Sequence, residues 1–242
     1  MVSFDAMADE YAAGRPEHAM GVYDALEPLR DRVVVEGGCG TGISTRALLD
    51  RGARVIPFDI GPVVLGKAIE RTPDLRAVVA DGVAIPLRDG CADLVCFGQS
   101  WHWLDPTARA LEVARVLGPG GRWAAWWTHA RSDGDEWFDG YWDLIESQIR
   151  GVTRARRDGD EVDPLLEALF DLDDWQHFRW VRTVDLDAWL LDERSRSYIG
   201  AMAPDDRERL LARIRAHLLV AFPDGHMTVR YETKLWTGTK RR

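Results

Sequence analysis

Short apolar segments alternate with amphipathic ones between Pro16 and Trp127. The apolar segments are rich in β-branched residues, and the amphipathic ones repeat apolar residues at helical spacing. The pattern predicts strands over 33–35, 54–59, 77–80, 93–98 and 122–127, and helices over 16–29, 43–51, 62–71 and 106–117. Such an alternation of strands and helices predicts a parallel sheet with helices on both faces.

The alternation breaks at His129 and returns near residue 175. Residues 129–174 are charged and contain helical pieces, which predicts an inserted helical cap. A strand over 176–184, helices over 186–198 and 204–222, and a strand over 227–236 follow. The predicted fold class is α/β, a doubly wound, mostly parallel sheet of seven strands with an antiparallel last strand. We expect one domain over 1–242, with N-terminal helices at 1–29, a core at 30–128, the cap, and a C-terminal completion of the sheet at 175–242.

Composition and charge exclude several classes of function. The 242 residues are 46% hydrophobic and 29% charged, which is typical of a globular protein. Lys and Arg number 31 against 40 Asp and Glu, so the net charge of -9 disfavours a nucleic-acid partner. No signal-peptide pattern and no apolar run of membrane-spanning length, about 18 residues, is present. Cys39, Cys91 and Cys96 form neither a metal-like pair nor an even disulfide set, so we expect a reducing compartment, the cytoplasm.

A glycine-rich loop follows the first predicted strand. Glycines at this place allow a tight turn and bring backbone N–H groups close to a ligand at a helix N-terminus. A dinucleotide fingerprint needs G-x-G-x-x-G, but the third position is Ile43 counted from Gly38, and Thr45 counted from Gly40. The spacing therefore disfavours an NAD-dependent dehydrogenase. The glycines as plain turn residues remain the alternative.

The residues around this loop resemble the class I S-adenosylmethionine (SAM) dependent methyltransferases. The loop reads Glu36-x-Gly38-x-Gly40-x-Gly42, and Asp59 ends the second predicted strand. The segments 80–87 and 92–103 are similar to the type 11 small-molecule branch, in which a Gln and a His-Trp pair follow the fourth strand. The turn at 119–121 and the N-terminal residues Phe4, Asp5, Tyr11, Arg15 and Pro16 also fit this branch. The resemblance implies a Rossmann-like sheet and SAM as the cofactor, with S-adenosylhomocysteine as the product.

The resemblance also implies which residues hold the cofactor. Asp59 takes the place of the acid that binds the ribose hydroxyls, and Asp81 that of the acid near the adenine amino group. Gln99 and His102 correspond to residues beside the methionine part and the methyl group. The full set of expected cofactor-binding residues is Glu36, Gly38, Gly40, Thr41, Gly42, Asp59, Ile60, Asp81, Gly82, Gln99, Tyr11 and Arg15. A single Asp of this kind is more often a solvated loop residue, but three at the family's spacing favour binding.

Several residues are candidates for the chemistry of transfer. SAM carries an activated methyl group, so no metal is expected and alignment of the acceptor is the main requirement. His102, Tyr11 and His129 are the candidate catalytic residues, and Tyr198 is a further candidate base. His102 lies between two tryptophans, and a packed, hydrogen-bonded histidine is the alternative interpretation. Contact with the cofactor or acceptor is favoured over proton transfer for this residue.

Tryptophans at the ends of predicted strands indicate the kind of acceptor. Trp101, Trp103 and Trp127, with Tyr198, are the candidate substrate-binding residues, although tryptophans are more often part of a core. We expect methyl transfer to O, N or C of a small aromatic or hydrophobic metabolite, in secondary metabolism. The only partner expected is this small-molecule acceptor, with the protein a monomer or homodimer and not bound to a membrane. A non-catalytic SAM-binding partner or sensor is the alternative.

Overall fold

The structure is a computed structural model that describes residues 16–153 and 164–241. The described chain divides into two compact units. The first contains Glu17–Thr128, 164–178 and 232–241, and the second contains 129–153 and Arg179–Tyr231. The predicted site residues Tyr11 and Arg15, and most of the predicted N-terminal region 1–29 before Pro16, lie outside the described residues.

The elements between residues 16 and 131 follow the predicted alternation. They are α1 (Met20–Ala25), β1 (Val33–Gly37), α2 (Ile43–Asp50), β2 (Arg54–Asp59), α3 (Pro62–Arg71), β3 (Val78–Val79), β4 (Ala92–Gly98), one turn of 3-10 helix (Trp101–Trp103), α4 (Pro106–Val116) and β5 (Leu117–Arg131). Pro62 and Pro106 begin their helices, where a missing N–H costs nothing. The carboxylate of Asp105 caps α4 by accepting a hydrogen bond from the backbone N–H of Ala108 at 2.9 Å.

The remaining elements complete the sheet and add helices. They are α5 (Glu136–Gln148), α6 (Pro164–Leu169), β6 (Phe170–Leu172), β7 (Gln176–Asp185), α7 (Leu186–Arg194), α8 (Ser197–Gly200), α9 (Pro204–Ala221) and β8 (His226–Lys240). Of the predicted cap, α5 belongs to the second unit, and α6 and β6 belong to the first. Whether 129–174 acts as a cap stays a prediction.

The strands form a sheet in the order β3-β2-β1-β4-β5-β8-β6, and β7 pairs with β8. β1 is parallel to β2 and β4, β2 is parallel to β3, and β4 is parallel to β5, whereas β6 is antiparallel to β8. The predicted fold class is confirmed. The sheet has eight strands rather than seven, because the three-residue β6 is too short to give a periodic signal. The order reverses between β1 and β4, the place where open α/β sheets bind ligands beyond their carboxyl ends.

Three predicted elements have different bounds for identifiable reasons. The helix predicted over 16–29 is only α1, because Pro28 disfavours helical geometry in the residue before it. The glycine-rich turn predicted before the fifth strand is part of β5. It produces an irregularity in the pairing with β4, where the register shifts between Ala92 and Leu94. The helix predicted over 186–198 breaks after Arg194, where the hydroxyl of Ser195 donates to the carbonyl of Asp192.

Each unit has its own hydrophobic core. In the first unit, the fully buried indole of Trp123 contacts the rings of Trp101, Phe170 and Trp236, with centroids 5.0 to 6.4 Å apart. In the second unit, aromatic residues of α5 pack with apolar residues of α9; they include Tyr141, Trp142, Ile214 and Leu218. No described helix combines the length and the apolar character needed to cross a membrane.

Candidate functional site

The glycine loop after β1 has a backbone that only glycine adopts without strain. Gly38, Gly40 and Gly42 have φ of +63°, +53° and +78°. A Cβ on Gly38 would lie 2.4 Å from the Cβ of Ser100, so the loop approaches the end of β4 too closely for a side chain. The Ser100 hydroxyl donates to the carbonyl of Gly37 at 2.7 Å. The loop is therefore a preformed cradle against β4.

Asp59, the last residue of β2, lies against this cradle. Its carboxylate accepts hydrogen bonds from the backbone N–H groups of Gly40 and Gly61, both at 2.8 Å. Charged hydrogen bonds of this kind are stronger than neutral ones. The structure therefore brings together the acid and the glycine loop that the sequence singles out, although they are separated along the chain.

Two polar residues are buried at the loop. Glu36 is 2% exposed and accepts a 2.5 Å hydrogen bond from the Thr45 hydroxyl. Burial raises the pKa of Glu36 to about 8, so its side chain is mostly protonated at neutral pH. The hydroxyl of Thr41 is buried and has no hydrogen-bond partner among the described residues. Such an orphaned polar atom is expected where a ligand completes the hydrogen bonding.

Three further predicted cofactor residues lie just after the ends of β2 and β3. Ile60 is 56% exposed, directly after Asp59. Asp81 is exposed, and its carboxylate accepts from the N–H of Val83 at 3.1 Å. A Cβ on Gly82 would lie 2.7 Å from a terminal methyl carbon of Leu104, so a side chain here would displace that of Leu104. Ile60 therefore follows β2, the neighbour of β1, and Asp81 and Gly82 follow β3, the next strand outward in the sheet.

Gln99 directly follows β4 and has a strained backbone. Its φ of +61° is uncommon for a residue with a side chain, and such strain is often stored at functional sites. The side-chain amide donates to the carbonyl of Thr128 at 2.6 Å, and its backbone N–H donates to the carbonyl of Trp126 at 2.9 Å. These bonds to β5 hold the residue in place.

The imidazole of His102 is tied to Trp127. The indole N–H of Trp127 donates to Nδ1 of His102 at 3.1 Å, so the neutral ring carries its proton on Nε2. Loss of hydration is the main cause that lowers the pKa of His102 to about 4, and the positive charge of Arg109 adds to it. One face of the residue is nevertheless exposed. The ring is therefore neutral at pH 7 and offers an N–H donor at Nε2.

The three candidate tryptophans of the first unit have different environments. Trp101 is 2% exposed, packs on Phe97 and lies 4.5 Å from the Arg109 guanidinium, so its ring supports the site from within the core. Trp103 is 54% exposed and lies 4.9 Å from the ring of His102. Trp127 is half-buried. Trp103 and Trp127 are therefore the two that present surface.

The remaining candidates lie elsewhere. His129 and Tyr198 belong to the second unit, on β5 and α8. His18, which the sequence did not single out, has its Nδ1 2.8 Å from the Thr128 hydroxyl. The residue carries no periodic signal and contacts a partner more than a hundred positions away, so only a consideration of every histidine before α1 would have included it.

The residues of the first unit fit SAM. The left-handed glycines form a tight loop that brings backbone N–H groups to the end of β1, and the buried Thr41 hydroxyl lacks a described partner. Asp59 supplies the acceptor oxygens that a vicinal diol requires. Among residues 16–153 and 164–241, no group of three or more His, Cys, Asp or Glu could hold a metal ion. The three cysteines are free.

Comparisons with known proteins agree with this geometry. A family model described as a methyltransferase domain, of type 11, matches residues 35–125. An uncharacterized methyltransferase from Mycobacterium tuberculosis is 32% identical over 224 residues, which are 92% of this chain and 87% of the relative.

Two solved structures share the fold. A candidate type II methyltransferase from Anaeromyxobacter dehalogenans has a TM-score of 0.69 at 22% identity, covering 94% of this chain and 97% of that one. Phosphoethanolamine N-methyltransferase 2 from Haemonchus contortus, in complex with SAM, has a TM-score of 0.56 at 16% identity, covering 100% of this chain and 61% of that one. The glycine cradle, the Asp59 carboxylate and these relatives together show that the chain belongs to the SAM-dependent methyltransferases, in the family of type 11 methyltransferase domains.

Proposed function

We propose that this methyltransferase transfers a methyl group to O, N or C of a small, flat aromatic or hydrophobic metabolite, of the kind found in secondary metabolism. The observation that carries the proposal is the surface formed after β4 and β5 by Trp103, His102 and Trp127. The ring of His102 lies 4.9 Å from that of Trp103 and its Nδ1 accepts the indole N–H of Trp127, so the three side chains form one aromatic surface.

The chain's own residues have distinct roles in this proposal. When bound, SAM supplies an electrophilic methyl group on a sulfonium. The glycine loop and the Thr41 hydroxyl hold the amino-acid end of the cofactor, and Asp59 holds its ribose, with Asp81 near the adenine. Gln99, held by β5, keeps the end of β4 in one conformation.

The aromatic surface binds and aligns the acceptor. Indole faces bury flat apolar molecules with little loss of side-chain entropy and also attract cations through their π systems. The neutral imidazole of His102 presents an Nε2–H donor between them, which suits an acceptor with an oxygen or nitrogen atom. We propose that His102 orients the acceptor in line with the methyl group. Proximity of this kind is the main requirement for transfer.

The experiment measures transfer of a labelled methyl group from SAM to a panel of phenols, indoles, quinols, aliphatic amines and carboxylic acids. Trp103→Ala is expected to raise KM for the best acceptor about tenfold, since an aromatic contact contributes about 1 kcal/mol or more. Leu111→Ala, which truncates a 51% exposed residue of α4, is the matched control and should leave KM unchanged. A preference for the aliphatic amines or acids, or equal KM values for both variants, would contradict the proposal.

A further inference from the structure

We propose that Trp127 makes the site select an oxygen acceptor, because its indole fixes His102 as a hydrogen-bond donor to the attacking atom. The inference rests on the proposed function, which leaves O, N and C open as the methylated atom. It gives Trp127 a role in specificity beyond contact with the acceptor. It also narrows the acceptor to an aromatic hydroxyl that reacts as its oxyanion.

His102 and Trp127 meet at the carboxyl ends of β4 and β5. The Ser100 hydroxyl donates to the last carbonyl of β1 at 2.7 Å, where the glycine loop begins, and His102 follows Ser100 by two positions. The register of the sheet pairs Gly98 with Trp126, so Trp127 lies beside the residues that follow β4. The indole N–H of Trp127 donates to Nδ1 of His102 at 3.1 Å. This hydrogen bond therefore lies beside the strand end that contacts the glycine loop.

Further contacts hold both members of this hydrogen bond. The Arg109 guanidinium donates to the carbonyl of Trp101 at 2.9 Å and lies 4.5 Å from the centre of its ring, which fixes the start of the turn that carries the imidazole. The ring of Trp127 lies 5.8 Å from that of Trp175, which stacks on Trp236 at 5.1 Å. The hydrogen bond between the imidazole and the indole is thus held from both sides.

The hydrogen bond sets the polarity of the imidazole. An indole N–H can only donate, so Nδ1 of His102 accepts and the neutral ring carries its proton on Nε2. Protonation of Nδ1 would bring two N–H donors face to face. Loss of hydration and the charge of Arg109 act in the same direction and lower the pKa of His102 to about 4. The exposed imidazole therefore offers a bound molecule a donor and no acceptor at neutral pH.

An N–H donor at this place discriminates between attacking atoms by their lone pairs. A neutral amine nitrogen has one lone pair, which it needs for attack on the methyl carbon, and an ammonium group has none. An aromatic carbon likewise has no lone pair to share. The oxygen of an ionised hydroxyl has several, so it accepts from Nε2–H of His102 and attacks at the same time. The donor therefore favours oxygen over nitrogen and carbon.

The step balances for an aromatic hydroxyl. Its proton leaves to solvent, and the Nε2–H donor stabilises the oxyanion that remains. One lone pair of this oxygen forms the new bond to the methyl carbon while the sulfur–carbon bond breaks, and the electron pair of that bond stays on sulfur. An anion and a sulfonium thus become a neutral ether and a neutral thioether. The donor raises the ionised fraction in full but weakens the nucleophile only in part, because nucleophilicity follows basicity with a slope below one.

The first arm of the test reads the state of His102 by NMR and needs no acceptor. The histidine rings are labelled with ¹⁵N, long-range ¹H–¹⁵N correlations are recorded between about pH 5.5 and about pH 8, and His102→Gln assigns the signals. In the wild type we expect the Nε2–H tautomer and no titration of His102 in this range. Trp127→Phe keeps an aromatic ring but removes the N–H, and should raise the pKa of His102 by about one unit or more.

Trp175→Phe is the matched control for this arm. It removes the same atoms from a neighbouring tryptophan that contacts Trp127 and makes no described hydrogen bond to His102. The tautomer and the pKa of His102 should be unchanged in this variant. An Nδ1–H tautomer in the wild type, or a His102 that titrates alike in all three proteins, would overturn the proposal. The wild-type tautomer gives this answer even if Trp127→Phe does not fold.

The second arm compares the best hydroxyl acceptor of the panel with the amine that has the same ring skeleton. The wild type is expected to favour the hydroxyl in kcat/KM about 100-fold or more, since a charged hydrogen bond supports only that acceptor. Trp127→Phe should lower this ratio about tenfold and leave the SAM dissociation constant within about twofold, while Trp175→Phe keeps the ratio. Equal use of the amine by the wild type, or an unchanged ratio in Trp127→Phe, contradicts the inference.

The two proposals fail in distinguishable ways. If the wild type methylates only aliphatic amines or acids, the proposed acceptor class is wrong, and the tautomer measurement still decides whether Trp127 fixes His102 as a donor. If aromatic amines or ring carbons are methylated as efficiently as aromatic hydroxyls, the proposed function stands and the inference on Trp127 is wrong.

Discussion

The two compact units bury polar groups in different ways. In the second unit, the guanidinium of Arg196 is 11% exposed and contacts the carboxylates of Asp192 at 2.9 Å and Glu193 at 2.8 Å. Tyr141 donates to the other oxygen of Glu193 at 2.5 Å. In the first unit, the buried Glu36 accepts a hydrogen bond from the Thr45 hydroxyl and forms no ion pair among the described residues, and the Thr41 hydroxyl lacks a described partner.

The difference separates polar groups that hold a fold from those that serve a ligand. Although burial opposes the charge of Arg196, the carboxylates of Glu193 and Asp192 raise its pKa above the ordinary value. Burial raises the pKa of Glu36 instead, because the hydrogen bond from Thr45 and the charge of Arg46 offset only part of the loss of hydration. Removing a charge should therefore disturb stability most in the second unit, and ligand binding most in the first.

The largest expected effect is on stability, in the second unit. Arg196→Met leaves two buried carboxylates without their counter-ion and should lower the free energy of unfolding by about 3–5 kcal/mol. Arg194→Met is the matched control, because Arg194 donates hydrogen bonds to both carboxylate oxygens of the exposed Glu208, a surface ion pair that should contribute about 1 kcal/mol or less. Urea unfolding followed by tryptophan fluorescence compares them. Equal losses would show that the buried network is no more important than the surface pair.

The next effect is on SAM affinity, in the first unit. Asp59→Ala removes the carboxylate that accepts from Gly40 and Gly61, and we expect SAM to bind roughly 10 to 100 times more weakly, since each charged hydrogen bond contributes about 1.5–3 kcal/mol. Calorimetric titration measures the change. Asp105→Ala, which removes the cap of α4, should lower stability by about 1 kcal/mol and leave SAM affinity unaltered. Unchanged binding by Asp59→Ala would remove this residue from the cofactor site.

A separate effect is the pH dependence of stability caused by Glu36. Its pKa is about 8 in the folded protein and near 4.5 in the unfolded chain, so the folded state holds a proton that the unfolded state releases. The stability from this group is complete below pH 4.5 and decreases until the pH passes about 8. Glu36→Gln, which is neutral at every pH, should remove this decrease. If the free energy of unfolding changes with pH equally in wild type and variant between pH 4.5 and 8, Glu36 is charged in the folded protein.

The smallest effect is expected at Thr41. Thr41→Val replaces a buried hydroxyl that has no described partner, so the ligand-free protein should be equally stable or more stable by up to about 1 kcal/mol. The same change should weaken SAM binding several-fold, because the hydroxyl can no longer bond the cofactor. Thermal unfolding with and without SAM separates the two effects. Loss of stability without SAM would show that the hydroxyl already has a partner.

The strands and helices up to β5 are largely predictable because their signals are local. The bounds predicted for β2 and α3 agree with the structure, since β-branched residues and a helix-starting proline act within a few positions. The glycine loop is predictable for the same reason. Its left-handed conformations depend on glycine at those positions and not on distant contacts.

The partners of the site residues are not predictable in this way. The Trp127 indole meets His102 because β4 and β5 pair in a particular register, and Trp101 is buried because the core closes over it. His18 meets Thr128 across 110 positions of the chain. The sequence by itself determined the fold class, the glycine loop and Asp59 as a candidate ligand, because local geometry and spacing encode them. Only the tertiary structure decided which atoms face the site residues: the Trp127 indole, which can only donate, faces Nδ1 of His102, because β4 and β5 pair side by side.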